Sequence, residues 1–563
     1  MRYSHIIIGG GSAGSVLASR LSERGANQVL LIEAGPDTPP GEEPAAILDS
    51  YPGSAYLDAR FVWSDRRVTV APTGNLQPDA MLPPRKYEQG RVLGGGSAIN
   101  GQLANRGLPW DFEDWAARGA TGWGWDDVLP FFRKLENDLD FNGPLHGNTG
   151  PLPIRRIPEA AWPGQAKAFS AALTDAGLPF LADQNGEFGD GHYPLPISNI
   201  DNHRVTAAMA WLTPEVRSRS NLRIRTDTTV EALLFDGLRA IGVRAGGEEL
   251  FGETIILSAG ALMTPELLLR SGIGPADDLA GIGVEVRLNA PGVGRGLTDH
   301  PSVAIASYLP STARLRGQRR HIMLGARFST DQTRFPAGDM AVLVSTKAAW
   351  HAVGERLGTT AFWINRPLSE DGRIHLTSAD PRQAAQVDFN LLSDPRDVER
   401  LMLGFRRMAA LHFSPLLGNA ALDAFPASYS EKVRQIGTIN LKNRILTRLA
   451  ALFLDGPAPI RRAFIENLVM EGESIADLLS DDAKLEAFVR SAVAGVWHAS
   501  CSCRMGAADD PMAVLIPDGR VKGIEGLRVV DASAFPAIPS ANTNLAVLML
   551  AEKMAEQMNA ENA

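Results

Sequence analysis

The chain has 563 residues, 45% of them hydrophobic and 21% charged, and carries a formal net charge of −9. That length implies two domains, and the composition is ordinary for a globular protein in water. The acidic balance argues against nucleic-acid binding, which asks for a net basic face, and two cysteines are too few for a disulfide framework.

The N-terminal MRYSHIIIGGGSAG has no long apolar core and runs straight into a glycine-rich turn, so it does not read as a secretory leader. No apolar run reaches the ~20 residues a membrane-spanning helix needs. A cytoplasmic protein with reduced thiols is the expectation.

His5 to Ile8 form a short, dense apolar run, the pattern of a buried parallel strand. GGGSAG follows, with Gly9, Gly11 and Gly14 in the G-x-G-x-x-G register. A helix is predicted over SVLASRLSERG and a second strand over QVLLIEAG, ending in Glu33. The first glycine permits a tight turn, the second lets backbone N–H groups approach a pyrophosphate, and the third lets helix and strand pack closely. Glu33 suits a ribose hydroxyl and would repel a 2′-phosphate, which leaves NAD or FAD. Ser12 and Ala13 open the helix and Ala34 follows the acid, so all three join the candidate cofactor set.

GRVLGGGSAINGQLANRG, residues 90–107, is a second glycine-rich loop. It brings Arg91, Leu93, Gly94, Gly95, Ser97, Asn100 and Gly101 into the same set. Little side-chain bulk lets backbone lie against a large flat ligand, and an elongated FAD must be held at both ends. In GALMTPELLLRSGIG, residues 260–274, Thr264-Pro265 reads as the N-cap and first-turn proline of a helix.

Near the C-terminus, VWHASCSCRMG holds both cysteines and His498. Four readings compete: a metal site, a thiol pair, a nucleophilic triad, or a base beside a cofactor. A closed zinc site wants about four N or S ligands, which are lacking, so no metal is expected. In an extended segment Cys501 and Cys503 would point to opposite faces, which disfavours a disulfide and leaves packing as their role. No nucleophile elbow is found. A base is consistent with alcohol oxidation, which requires removal of a hydroxyl proton near neutral pH.

Residues 90–115 and 260–274, with LRVVDASAFPAIPSANTNLAVLMLAEKMA near the end, resemble the glucose–methanol–choline (GMC) family of FAD-dependent oxidoreductases over most of the chain. The resemblance implies a Rossmann-like FAD-binding domain, discontinuous over 1–158, 221–300 and 496–563. It also implies a substrate domain, 159–220 and 301–495, of antiparallel sheet backed by helices. It makes His498 the base and Asn542 the group that holds the substrate oxygen while a hydride passes to flavin N5. Asn542 and Thr543 would also cap the last helix toward the flavin. Val230 would hold the adenine end; Asp531 and Ala532 would lie by the ribityl and phosphate portion. Covalent members carry His where Ile99 stands, so non-covalent FAD is expected. Trp497 and Trp363 are expected to wall an apolar pocket.

The activity implied is oxidation of a primary aromatic or furanic alcohol, with dioxygen as acceptor and hydrogen peroxide as product. The C-x-C pattern also resembles family dehydrogenases that use a quinone or other acceptor, and a lyase on the same fold is the third reading. Residues 427–470 mix basic and apolar residues in two predicted helices. The expectation there is an amphipathic pair packed on the substrate domain, with membrane-surface association as the alternative.

Overall fold

The computed structural model describes residues 2–72, 82–428, 431–470 and 472–561. β1 (Arg2–Ile8), α1 (Ser12–Leu21) and β2 (Val29–Ile32) follow one another as the glycine spacing requires. β1 is an inner strand of a seven-stranded sheet. On one side lie β2 and Leu222–Arg225, on the other Glu248–Leu257, all parallel to it. The far end of Glu248–Leu257 pairs in parallel with Leu527–Val529, while its start turns antiparallel to Arg239–Ala245 and then Val230–Asp236. Every strand of this sheet comes from residues 1–158, 221–300 or 496–563. Ile6, Ile7, Leu30, Leu31, Ile255 and Ile256 are fully or almost fully buried, as a sheet covered on both faces demands. α1 packs between this sheet and the last helix, Thr543–Glu561, where Arg20 pairs with the buried Glu552 at 2.8 Å.

A second sheet of six antiparallel strands runs in the order Leu422–Ala427, Ser302–Tyr308, Leu357–Ile364, Met340–Ser345, Ile322–Phe328 and Gly191–Pro194. Its two faces differ in bulk. Thr360 and Phe362 turn to the backing helix Pro395–His412, meeting His412 at 3.1 Å and the Phe405 ring at 6.4 Å. The alternate positions, Ser302, Ala304, Ala306, Thr359 and Ala361, face a cavity and carry small side chains. The burial there goes into ligand space rather than core.

The boundary at residue 300 is less clean than the sequence suggests. Gly372–His375 and Gln386–Asp388, expected inside the substrate domain, form a small sheet with Arg295–Leu297, and Phe389 N donates to Thr69 O. In 427–470 the helices are Glu431–Gly437, Leu441–Leu454 and Ala458–Phe464; residues 429 and 430 lie outside the described residues. The segment packs on the substrate sheet through Leu454 and Ile465, but its contact face is part polar. Leu441–Leu454 buries Asn443 and Thr447 along with Ala451 and Leu454, and presents most of its large apolar side chains to solvent.

Candidate active site

One cavity of about 1460 Å³ runs between the two sheets, well above the ~300–1,000 Å³ of a drug-sized ligand site. At one end lie the first turn of α1 and the end of β2: Gly9, Gly11, Ser12, Ala13, Glu33 and Ala34 line it. Gly9 has φ +99°, which a side chain resists, and a Cβ on Gly14 would collide with the Gly9 carbonyl oxygen. The two glycine loops touch. Gly94 N donates to Gly10 O at 2.7 Å, and a Cβ on Gly95 would stand 2.6 Å from Gly11 Cα. Side chains there would close the cradle.

Glu33 accepts from the amides of Gly10 and Gly35, both at 2.8 Å. Burial pushes its carboxyl pKa up, against the pull of those amides. Val230, Asn100, Gly101, Asp531, Ala532 and Thr543 line the same cavity. Asp531 accepts from Thr264 Oγ1 at 2.6 Å and Gly260 N at 2.9 Å, and so ties the 260–274 segment to the C-terminal one.

Five of the expected cofactor residues shape the cradle without lining it. Gly14 lies under Gly9, and Leu93 packs on Gly10. Gly94 bonds to Gly10, Ser97 Oγ accepts from Ala207 N at 2.9 Å, and the Arg91 guanidinium lies over Trp63. Behind the second loop the buried Arg204 donates to Ser97 O and Asn100 Oδ1, which fixes the loop's path.

At the other end His498 and Asn542 meet, with His498 Nε2 at 2.9 Å from Asn542 Nδ2. His498 Nδ1 lies 2.9 Å from His300 Nδ1, and His300 Nε2 lies 3.1 Å from the Pro539 carbonyl oxygen. The carbonyl can only accept, so His300 carries its proton on Nε2 and its Nδ1 is an acceptor. His498 therefore donates from Nδ1 and keeps its lone pair on Nε2, where it accepts from Asn542 Nδ2 at the cavity wall. Burial, with His300 adding to it, holds the His498 pKa well below its ordinary value, and burial takes His300 down to about 4. Both rings are neutral at working pH.

Under this pair sits Asp299. Its Oδ1 accepts from the backbone N–H of His300 (2.7 Å), His498 (3.0 Å) and Val496 (3.2 Å); its Oδ2 accepts from Tyr87 OH at 2.7 Å. Burial raises the Asp299 pKa to about 6, the tyrosine and amides pulling the other way. His300, Asp299 and Tyr87 escape the sequence reading. For Asp299 and His300 the one signal is Thr298-Asp299-His300-Pro301, a polar run that hydrophobic periodicity leaves unexplained; Tyr87 stands just before the second glycine loop.

Trp497 lines the cavity at φ +62°, stacks on Tyr87 with centroids 5.9 Å apart, and donates from Nε1 to Glu88 at 3.1 Å. Trp363 does not wall the main cavity. It lies on the same sheet face as Ala361 but farther along, and lines a small adjoining space shared with Leu103 and Asn542. The cysteine stretch is not extended either. Cys501 has φ +71°, because the chain turns there to bond its amide to Ala532 O. Both thiols are buried and unlinked.

Among the described residues two clusters gather three metal-type donors each: Asp299–His300–His498 and Glu136–Asp138–His146. In the first, the carboxylate is committed to amides and Tyr87 and the imidazoles to each other. In the second, Arg106, Arg156 and the His146 imidazolium supply positive charge among the carboxylates.

Comparison with known proteins agrees with this geometry. Residues 3–302 and 367–551 match the N- and C-terminal family models described as GMC oxidoreductase. A 5-(hydroxymethyl)furfural oxidase of Methylovorus sp. (strain MP688) is 41% identical over 98% of each chain. An oxygen-dependent choline dehydrogenase of Photobacterium profundum is 31% identical over 98% of this chain and 92% of its own. Among solved structures, pyridoxine 4-oxidase from Mesorbium loti superposes with a TM-score of 0.81 at 28% identity, over 99% of both chains. The chain is a member of the GMC oxidoreductase family.

Proposed function

We propose that the protein oxidises a primary aromatic or furanic alcohol to the aldehyde, using non-covalently bound FAD and dioxygen, with release of hydrogen peroxide. The observation that carries this is the pairing of His498 Nε2 with Asn542 Nδ2 at 2.9 Å on the wall of the cavity. The 41% identity to a furanic-alcohol oxidase supports the substrate class.

The residues present fit an FAD. The two glycine loops form a cradle that any Cβ would fill, Glu33 is placed for a ribose, and the buried Asn542 Oδ1 has no hydrogen-bond partner among the described residues. Ile99 lines the cavity and offers only hydrocarbon, so a histidyl link has no donor there. In this reading residues 1–158, 221–300 and 496–563 hold the cofactor, and 159–220 with 301–495 hold the substrate. When bound, FAD supplies the acceptor for the hydride lost from the carbinol carbon and passes the electrons to dioxygen.

The chain does the rest. An alcohol hydroxyl donates to the His498 Nε2 lone pair and accepts from Asn542 Nδ2, the two groups that face each other in the free site. Proton transfer to His498 leaves an imidazolium whose Nδ1–H is already held by His300. Asp299, ionised above about pH 6, stands within 4.8 Å of both rings and stabilises that charge. The small side chains at Ser302, Ala304, Ala306, Thr359 and Ala361 leave a slot for a flat ring over the cofactor.

The test is anaerobic titration of the holoenzyme with 5-hydroxymethylfurfural and benzyl-type alcohols, followed by air. Bleaching of the flavin band, then rapid recovery with peroxide, is expected. Slow recovery in air would replace the oxidase with a dehydrogenase, and no bleaching with either alcohol class would remove the substrate reading. His498→Ala should slow the bleaching by about 10²-fold or more.

A further inference from the structure

We propose that the helical segment 431–469 is a docking surface for an anionic lipid bilayer, and that it holds one wall of the catalytic cavity at the membrane. The helix Leu441–Leu454 is built inside out. Asn443, Thr447, Ala451 and Leu454, at i, i+4, i+8 and i+11, form the stripe that faces the protein. The polar members are satisfied there: Asn443 Nδ2 donates to Gln435 O at 2.7 Å and Thr438 O at 2.9 Å, and Thr447 Oγ1 donates to Asn443 O at 2.7 Å.

The opposite side carries Leu441, Ile445, Leu446, Leu449, Leu452 and Phe453, each at least half exposed and Leu441 at 72%. Ile436, Ile439, Ile460 and Leu468 extend the exposed apolar surface onto the neighbouring turns. Scattered exposed leucines need no explanation, but a contiguous set on one helix face does.

Charge identifies the occupant. Residues 431–470 hold seven basic and three acidic residues in a chain whose net charge is −9. Arg444 and Arg448 flank the leucine stripe and Lys442 lies within it near its start; all three are exposed and have no carboxylate partner among the described residues. An aliphatic stripe set with lysine and arginine suits the interface of an anionic bilayer, where side chains enter the acyl boundary and cations meet headgroups. A second copy docked through the same face would set these cations against themselves.

The segment is also fastened to the substrate sheet. Arg461 pairs with Asp423 at 2.6 Å, and Asp455 pairs with Arg356 at 2.7 Å. Its inner edge lines the catalytic cavity through Val433 and Val469. No helix among the described residues is long and apolar enough to cross a membrane, so the attachment is peripheral.

The test is flotation of the full-length holoenzyme with vesicles of phosphatidylcholine alone, or with about three parts in ten of phosphatidylglycerol. The protein should float with the anionic vesicles and bind the neutral ones at least about tenfold more weakly; rising salt should weaken anionic binding. Leu446→Ser/Leu449→Ser/Leu452→Ser and, separately, Arg444→Glu/Arg448→Glu should each abolish flotation. All five side chains face solvent, so both variants should keep the wild-type melting temperature. Absence of flotation with either vesicle overturns the proposal. So does a concentration-dependent dimer, seen by light scattering, that the leucine variant dissolves. Neither readout uses turnover, so failure here is distinct from failure of the alcohol-oxidase reading.

Discussion

His300 and His498 meet nitrogen to nitrogen, Nδ1 to Nδ1 at 2.9 Å, with their rings at 87°. Only one proton fits between them, and the Pro539 carbonyl on the far side of His300 decides whose it is. A backbone carbonyl thus sets, through one intervening ring, which nitrogen of His498 is basic. In the proposed reaction His300 is a positioning residue, reaching the substrate only through His498.

His300→Phe removes that acceptor and strands the His498 Nδ1 proton in a buried site. Flavin reduction by alcohol, followed anaerobically by stopped flow, should slow about 10- to 100-fold, the usual cost of losing an orienting hydrogen bond. His300→Gln keeps a side-chain acceptor and should recover part of the loss. Equal rates in the two variants would show that packing, rather than the tautomer, is what His300 supplies.

Tyr87→Phe should move the acid limb of kcat/KM. His498 is held neutral far into acid by burial and His300 lies near 4, so within the His498–His300–Asp299 set the first to protonate on the way down is Asp299, near pH 6. Burial raises the Asp299 pKa and the Tyr87 hydroxyl restrains it; without that hydroxyl it rises further. A hydrogen bond to a charged group worth ~1.5–3 kcal/mol corresponds to about one to two pH units. The limb should therefore shift upward by about one unit, with the plateau above it little changed. A limb that stays near 6 would assign it to another group.

The nucleotide end of the site was legible because its constraints are local. Gly9, Gly11, Gly14 and Glu33 each answer to a backbone approach or a fixed offset along one strand–turn–helix unit, and the structure puts them where that unit requires. The catalytic end joins His498 to His300 and Asn542, from segments 198 and 44 residues away, and no spacing rule reaches that far. His498 and Asn542 were found through family resemblance, whereas His300 and Tyr87 were not found at all. Trp363, expected at the pocket wall, lines the adjoining space instead, because a resemblance names a residue without its distance along the sheet from the ligand. The 441–454 helix packs on the substrate domain, but its larger apolar side turns to solvent. Its periodicity is genuine, but periodicity alone does not say which face turns inward.

The two cysteines should be silent in the native protein. Burial pushes the Cys501 thiol up to about 12 and raises Cys503 as well, so neither offers thiolate at neutral pH. A thiol reagent at pH 8 should label neither cysteine in the folded holoenzyme and both in denaturant. Rapid native labelling, read by mass spectrometry, would contradict a packing role and reopen a redox one.

The stability of the molecule should depend on pH through His146. Its Nε2 lies 2.8 Å from Asp183 and its Nδ1 3.2 Å from Asp138, while Arg156 bridges the same two carboxylates at 2.8 Å. Burial alone would lower the His146 pKa; hydrogen bonds to Asp138 and Asp183 outweigh it and carry the value up to about 10. Because the folded value lies above the unfolded 6.5, the folded state holds the proton more tightly. The contribution is complete below about pH 6.5, declines as pH rises, and is gone above about pH 10. His146→Gln leaves the carboxylates short of one buried cation and should cost about 3 kcal/mol near pH 6. Denaturant melts of wild type and variant at a series of pH values should converge toward pH 10. A gap that stays constant from pH 6 to pH 10 would mean the imidazole is neutral in the fold and acts there by shape alone.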